Sequence, residues 1–317
     1  MGRPGYTGRL LVDCADRPGI VAAVSGFLFD VGANIVSSHQ YSSDPSGGRF
    51  FLRTEFFLEE GMDSVEDRLD SAAARGRKGL REDGLPSGGG PRQREAMRRR
   101  FQAEVAERFA MDWRIRWWGE RQRIAILVSR HEHCLIDLLW RQRRGELDGE
   151  VVAVLSNHPD LLGEAQAAGV PYHHVPVEGE QGMAAAEERM LGLLAGKVDV
   201  VVLARYMRIL SADFLARVGA PVLNIHHSFL PAFAGADPYR RAREHGVKLI
   251  GATAHYVVEE LDAGPIVEQG VERVSHTQGV AELERVGRDI ERIVLARALA
   301  LHLDDRVIVD GGRTVVF

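Results

Sequence analysis

The hydrophobic rhythm of the chain changes near residue 120. Before it, short alternating segments flank helical stripes; after it, near-continuous apolar runs alternate with helical stretches. Arg9 to Asp13 reads as an apolar strand that ends in the turn Cys14-Ala15-Asp16-Arg17-Pro18-Gly19. Ile20, Val21, Val24, Phe27, Leu28 and Val31 recur at helical spacing, and Gly32 is a suitable stop. Asn34 to Tyr41 and Arg49 to Leu58 form two further predicted strands, joined by Ser-Asp-Pro-Ser-Gly-Gly. Met97, Phe101, Val105 and Phe109 predict an amphipathic helix, and Asp112 to Trp118 alternates as a half-buried strand. Between them, Glu59 to Arg94 breaks the pattern. Asp63 to Leu80 is expected as a surface helix or a disordered stretch, and Glu82 to Arg92 as a flexible loop. The order is β-α-β-β-(insertion)-α-β.

After the polar run Gly119 to Arg123, apolar strands are predicted at Ile124 to Val128, Val151 to Leu155, Val198 to Ala204 and Val222 to Ile225. Helical stretches separate them, which indicates a buried parallel sheet with helices on both faces. Further β segments follow at Leu249 to Val257 and Ile266 to Val274, then a last helix from about Gly279 to Leu303. The fold class is α/β. The expected domains are 1–119, with an insertion at about 59–94, and 120–317.

Composition narrows the setting. The chain has 317 residues, 45% hydrophobic and 27% charged, enough for two ordinary cores. A net charge of −5 gives no reason to expect nucleic acid or a membrane surface as partner. The basic stretch Arg92 to Arg100 is expected as a solvated helix face. Cys14 and Cys134 offer neither a disulfide framework nor a zinc spacing. Residues 1–10 carry no apolar run of signal-peptide length, and Tyr6 stands where myristoylation wants Ser or Thr. The cytoplasm is the expected location.

Open α/β sheets bind ligands beyond the carboxyl ends of their strands. Asn224 and His226 stand two apart at such an end, so an extended segment aims both to one side. An amide and an imidazole together can hold a carbonyl oxygen that gains negative charge. Asp262, in Leu-Asp-Ala-Gly-Pro, could be ordinary turn chemistry. With Asn224 and His226 it completes a constellation suited to acyl transfer.

Asn224-Ile-His-His-Ser-Phe-Leu-Pro, Gly251-Ala-Thr-Ala-His-Tyr-Val and Leu261-Asp-Ala-Gly-Pro resemble the formyltransferase-fold family that uses 10-formyltetrahydrofolate. Arg123-Ile-Ala-Ile-Leu-Val-Ser, Leu155-Ser-Asn-His-Pro-Asp, Val201-Val-Leu-Ala-Arg-Tyr-Met-Arg-Ile-Leu and Gly287-Arg-Asp-Ile-Glu-Arg extend the likeness to its hydrolytic branch. Asp16-Arg-Pro-Gly-Ile-Val and Gly32-Ala-Asn-Ile resemble an ACT domain, a ferredoxin-like βαββαβ regulatory unit. The resemblance implies hydrolysis of 10-formyltetrahydrofolate to formate and tetrahydrofolate, with formate serving purine biosynthesis. It implies that Asn224 and a charged His226 donate to the formyl oxygen. Asp262 would keep His226 charged, guide water and move protons to N10. Met207, Arg208, Ile209, Leu210, Val257, Glu259 and Leu261 would hold the pteridine, although Met207, Ile209 and Leu210 taken alone read as core. His227 is a weaker substrate-binding candidate and His276 a structural histidine. No cofactor is implied.

Transfer to a phosphorylated amine calls for a Gly-rich phosphate loop after the first strand of the second unit. That position reads Ser129-Arg130-His131-Glu132-His133-Cys134-Leu135, without glycine, which favours water as acceptor. Transfer to an amine, or a non-catalytic amino-acid-binding regulator, are the alternatives. His131 and His133 alone are a weak metal signal, and no metal is expected. Ala234 and Asp237 replace lysines expected of the family, and Gly270 replaces an acidic residue. At the ACT unit, Asp16, Gly19, Ile20, Asn34 and Ile35 are the expected contacts for a small amino-acid effector, glycine or methionine, in a homo-oligomer.

Overall fold

The computed structural model describes residues 7–58, 91–177, 182–231 and 238–317. The predicted features at Asp63 to Leu80 and, as far as Gly90, at Glu82 to Arg92 lie outside the described residues, as do the substitutions at Ala234 and Asp237; Pro91 and Arg92, expected to end the loop, instead begin a helix. The chain divides into two compact units, 1–120 with Phe317, and 121–316.

In the first unit, β1 (Thr7–Ala15), β2 (Ala33–Ser42), β3 (Arg49–Leu58) and β4 (Asp112–Trp117) form an antiparallel sheet ordered β2-β3-β1-β4. Leu10, Val12 and Cys14 of β1 face the helices α1 (Ile20–Asp30) and α2 (Pro91–Phe101). Phe27 of α1 meets Phe101 of α2 edge-to-face at 5.2 Å. The stripe Met97, Phe101, Val105, Phe109 is buried throughout. A strict four-residue spacing drifts by roughly 40° per step on an α-helix. The chain absorbs that drift in a π-helical turn, Gln102–Ala106, before the short α3 (Glu107–Phe109). Three arginines of α2 are paired: Arg94 and Arg98 reach Glu120, and Arg100 reaches Glu104. The edge strand β2 leaves Ile35, Val36 and Tyr41 exposed.

The second unit holds a seven-stranded sheet ordered β11-β10-β9-β8-β5-β6-β7. Its strands are β5 (Gln122–Val128), β6 (Gly149–Ser156), β7 (Tyr172–His174), β8 (Val200–Leu203), β9 (Val222–His226), β10 (Leu249–Tyr256) and β11 (Ile266–Arg273). The strands from β9 to β7 run parallel, whereas β10 and β11 join antiparallel. Ile124, Ile126 and Val128 pack on α4 (His133–Arg143) and α9 (Val280–Leu303). Ala125 and Leu127 face the other way, towards α6 (Gly182–Leu194) and α7 (Ala212–Val218). The remaining helices are α5 (Leu162–Ala167) and α8 (Pro238–Glu244), and a small hairpin, β12 (Val307–Asp310) and β13 (Arg313–Val316), follows α9. The chain builds β5, β6 and β7 to one side, then crosses to β8 and β9 on the other. The order therefore reverses between β5 and β8, where a crevice opens at the strand ends.

Candidate active site

A cavity of about 650 Å³ occupies that crevice. Asn224, His226 and Asp262 all line it. Asn224 and His226 lie on β9, with side chains on the same side, and β10 runs antiparallel beside it. The turn after β9 is pinned to β10: Thr253 Oγ1 donates to the Ser228 carbonyl at 2.9 Å and accepts from the Leu230 N–H at 3.0 Å.

Asp262 reaches the site from the connection between β10 and β11. Its backbone is left-handed, φ 57°, a conformation Asp tolerates better than most residues. Gly264 lets the connection fold back on β10, because a β-carbon there would lie 1.7 Å from the Tyr256 carbonyl oxygen. The Tyr256 N–H closes the fold by donating to the Pro265 carbonyl at 2.9 Å. The carboxylate is thereby aimed into the cavity, with Oδ1 3.2 Å from His226 Nδ1.

His255 is a fourth member that the sequence reading quoted without a role. It pairs with Asn224 in the β9–β10 register. Its Nδ1 lies 3.0 Å from the Tyr256 carbonyl oxygen, so Nδ1 carries the proton. Burial depresses its pKa, which leaves the ring neutral and Nε2 as an acceptor. That acceptor takes the Asn224 amide at 3.2 Å and fixes which way the amide points. Nε2 is also 3.8 Å from Asp262 Oδ1.

The chain is similar to known proteins along nearly its whole length. A formyl transferase family model matches residues 122–299, and an ACT domain model matches residues 8–74. A formyltetrahydrofolate deformylase from Mycobacterium tuberculosis is 51% identical over 310 residues, 98% of this chain and 90% of the relative. One from Bacillus subtilis is 47% identical over 98% of this chain and 93% of the relative. The crystal structure of a formyltetrahydrofolate deformylase from Pseudomonas syringae pv. tomato superposes with a TM-score of 0.83 at 42% identity, covering 99% of this chain and 95% of that one. The chain belongs to the formyltetrahydrofolate deformylase family.

The structure changes one expectation carried over from formyltetrahydrofolate deformylases. His226 was expected to be charged through Asp262. Burial lowers its pKa, and the attraction of Asp262 does not make up the difference. The resting ring is neutral, with its Nδ1 proton directed at Asp262. Nε2, itself buried, has no hydrogen bond among the described residues.

The residues expected to hold the pteridine lie together. Met207, Arg208, Ile209, Leu210, Val257, Glu259 and Leu261 all border the cavity, as does His227. Met207, Ile209 and Leu261 are 55%, 67% and 64% exposed, so a core role fits Leu210 alone of the trio Met207, Ile209 and Leu210. Ser129 steadies Met207 by accepting its N–H at 3.0 Å and donating to Asn157 at 2.7 Å. His276 is exposed and does not border the cavity. Gly270 lies against α9, where a β-carbon would come 2.6 Å from Val294. An acidic side chain has no room there.

His133, Cys134 and Glu291 approach one another within 4.8 Å, but the Glu291 carboxylate is already engaged by His133, Tyr239 and Arg205. In the first unit, the expected effector residues separate. Asp16, Gly19 and Ile20 follow the end of β1, where Ala15 pairs with Arg49. Asn34 and Ile35 lie opposite Phe57 and Phe56, at the end where β1 begins. One copy of the sheet cannot bring both sets to one small ligand.

Proposed function

We propose that this chain hydrolyses 10-formyltetrahydrofolate to formate and tetrahydrofolate, supplies formate for purine biosynthesis and balances one-carbon pools in the cytoplasm. The His226–Asp262 contact beside an oriented Asn224 carries this reading. Asn224 donates to the formyl oxygen. As water adds to the formyl carbon, the proton it sheds is taken up by the His226–Asp262 pair, whose resting imidazole is neutral. The imidazolium so formed donates to the oxyanion and then protonates N10 as the C–N10 bond breaks. The exposed apolar side chains of Met207, Ile209 and Leu261 suit a flat heterocycle. The glycine-free stretch after β5 supports water over a phosphorylated amine as acceptor. In a single-turnover assay with formyl-labelled donor and no added amine, labelled formate is expected. No release while folate binds would refute the reading.

The ACT unit is read as a sensor of a small amino acid, glycine or methionine, in a homo-oligomer. The separation of Asp16, Gly19 and Ile20 from Asn34 and Ile35 supports a site completed by a second copy. The α1 N-terminus, capped by Gly19 at φ 97° without a side-chain hydrogen bond, suits a carboxylate. Calorimetry with both amino acids, combined with sedimentation, tests this. A monomer that takes up neither ligand would remove it.

A further inference from the structure

The cavity wall beyond the catalytic group holds a second polar cluster that the hydrolysis described above does not use. Its centre is Glu291 on α9, 1% exposed. His133 Nε2 lies 2.8 Å from Glu291 Oε2, the Tyr239 hydroxyl donates to Oε1 at 2.8 Å, and Arg205 Nε stands 3.5 Å from Oε2. Gly287, one helical turn earlier, makes room for this: a β-carbon there would meet the Tyr239 hydroxyl oxygen at 1.9 Å. Burial pushes the Glu291 carboxyl up, yet His133, Arg205 and Tyr239 together hold it below the usual carboxylate range. Glu291 is therefore an ionised anchor for Arg205.

Arg205 lies two residues past the end of β8, at the point where the strand order reverses, with φ 64°. A left-handed backbone is costly for a residue with a β-carbon and persists where its surroundings enforce it. The guanidinium borders the cavity, and its charge helps to depress the pKa values of His226 and His227. It offers five N–H donors. Its Nε and Nη1 make no hydrogen bond among the described residues; the 3.5 Å approach to Glu291 is an ion pair. A cation anchored on one side, with two buried donors left without a hydrogen bond among the described residues, on the wall of the cavity that holds His226, calls for a small planar anion.

We infer that Arg205 is a seat for a small carboxylate, and that its ligand is formate. The assignment of formate rests on the proposed hydrolysis. Water adds to the formyl carbon and the C–N10 bond breaks. One proton of the water ends on N10, and the other leaves as the acid ionises. The product beside His226 is thus an anion one carbon long, the size and charge that the guanidinium edge fits.

The test titrates carbon-13-labelled formate into the full-length protein without folate, at ionic strength held constant with chloride, and follows the NMR line width. Wild type is expected to show saturable broadening. Arg205→Gln combined with Glu291→Gln removes both charges, leaves neither buried alone, and is expected to weaken binding by about tenfold or more. Arg205→Lys keeps the charge without the fork and is expected to weaken it by a smaller factor; it serves as well if the double variant does not fold. Wild type without saturable broadening, or variants that bind as wild type does, would overturn the seat. Because no folate is present, the result stands apart from the activity. Formate bound but never produced would remove hydrolysis and keep the seat; formate produced but not bound would do the reverse.

Discussion

Asn224 and His255 stand opposite each other across the β9–β10 ladder, and their side chains meet at 3.2 Å. The proton on His255 Nδ1 is held by the Tyr256 carbonyl, so the ring can only accept from the amide. Asn224→Ala is expected to lower kcat by roughly 100- to 1000-fold, the usual loss for one oxyanion donor. His255→Phe leaves the amide in place but frees it to turn. Its kcat should fall less than that of Asn224→Ala, with KM nearly unchanged. Steady-state kinetics of both variants check this; a large KM effect in His255→Phe would mean a structural role instead.

The pH profile of kcat/KM separates a resting neutral His226 from a charged one. Burial holds its pKa below the ordinary 6.5. A neutral resting ring keeps kcat/KM level through neutrality and loses it as pH falls through that lowered value. If the charged ring were the resting form, kcat/KM would instead fall as pH rises. Rate measurements between pH 5 and 8 distinguish the two limbs.

His227 links stability to acid. Burial, with the charge of Arg205, lowers its pKa to about 4, whereas in the unfolded chain it titrates near ~6.5. Between those values the unfolded chain takes up a proton that the folded protein refuses. Stability contributed by the neutral ring is therefore complete above about pH 6.5 and is lost as pH falls towards 4, by up to roughly 3 kcal/mol. Urea denaturation of wild type and His227→Gln at neutral and acid pH reads this directly. The stability gap between them should change with pH in that window and stay constant above it.

Gly264→Ala places a methyl group 1.7 Å from the Tyr256 carbonyl oxygen. The connection must move, at a cost of about 1–3 kcal/mol, and Asp262 moves with it. Thermal denaturation should show the loss of stability, and kcat should fall although no reacting side chain has changed. A variant of wild-type rate would dissociate the turn from the carboxylate.

The strands of the second sheet were legible because Ile124 to Val128 is apolar on both faces and Val222 to Ile225 is interrupted only by Asn224. β7 and the hairpin β12–β13 were not: each is short, and His173 and His174 interrupt the apolar signal in β7. Asn224 and His226 could be paired from their spacing alone, since two residues apart in a strand share a side. His255 could not, because its place depends on the antiparallel register of β10 against β9, which leaves no mark in either segment. Arg205 and Glu291 lie 86 positions apart, and each reads locally as a surface charge. Burial made their pairing visible, as it did the reversed charge state of His226.

The connection 257–265 gives the site two kinds of support. Asn224 and His226, proposed to hold the substrate oxygen, ride on a sheet strand, locked by neighbours on both flanks. Asp262, which faces His226 Nδ1, rides on a tether whose length and curl depend on one glycine. Drift or engineering within those nine positions would retune the His226–Asp262 pair while the Asn224 amide stayed as it is, so new chemistry on this scaffold has a natural entry point there.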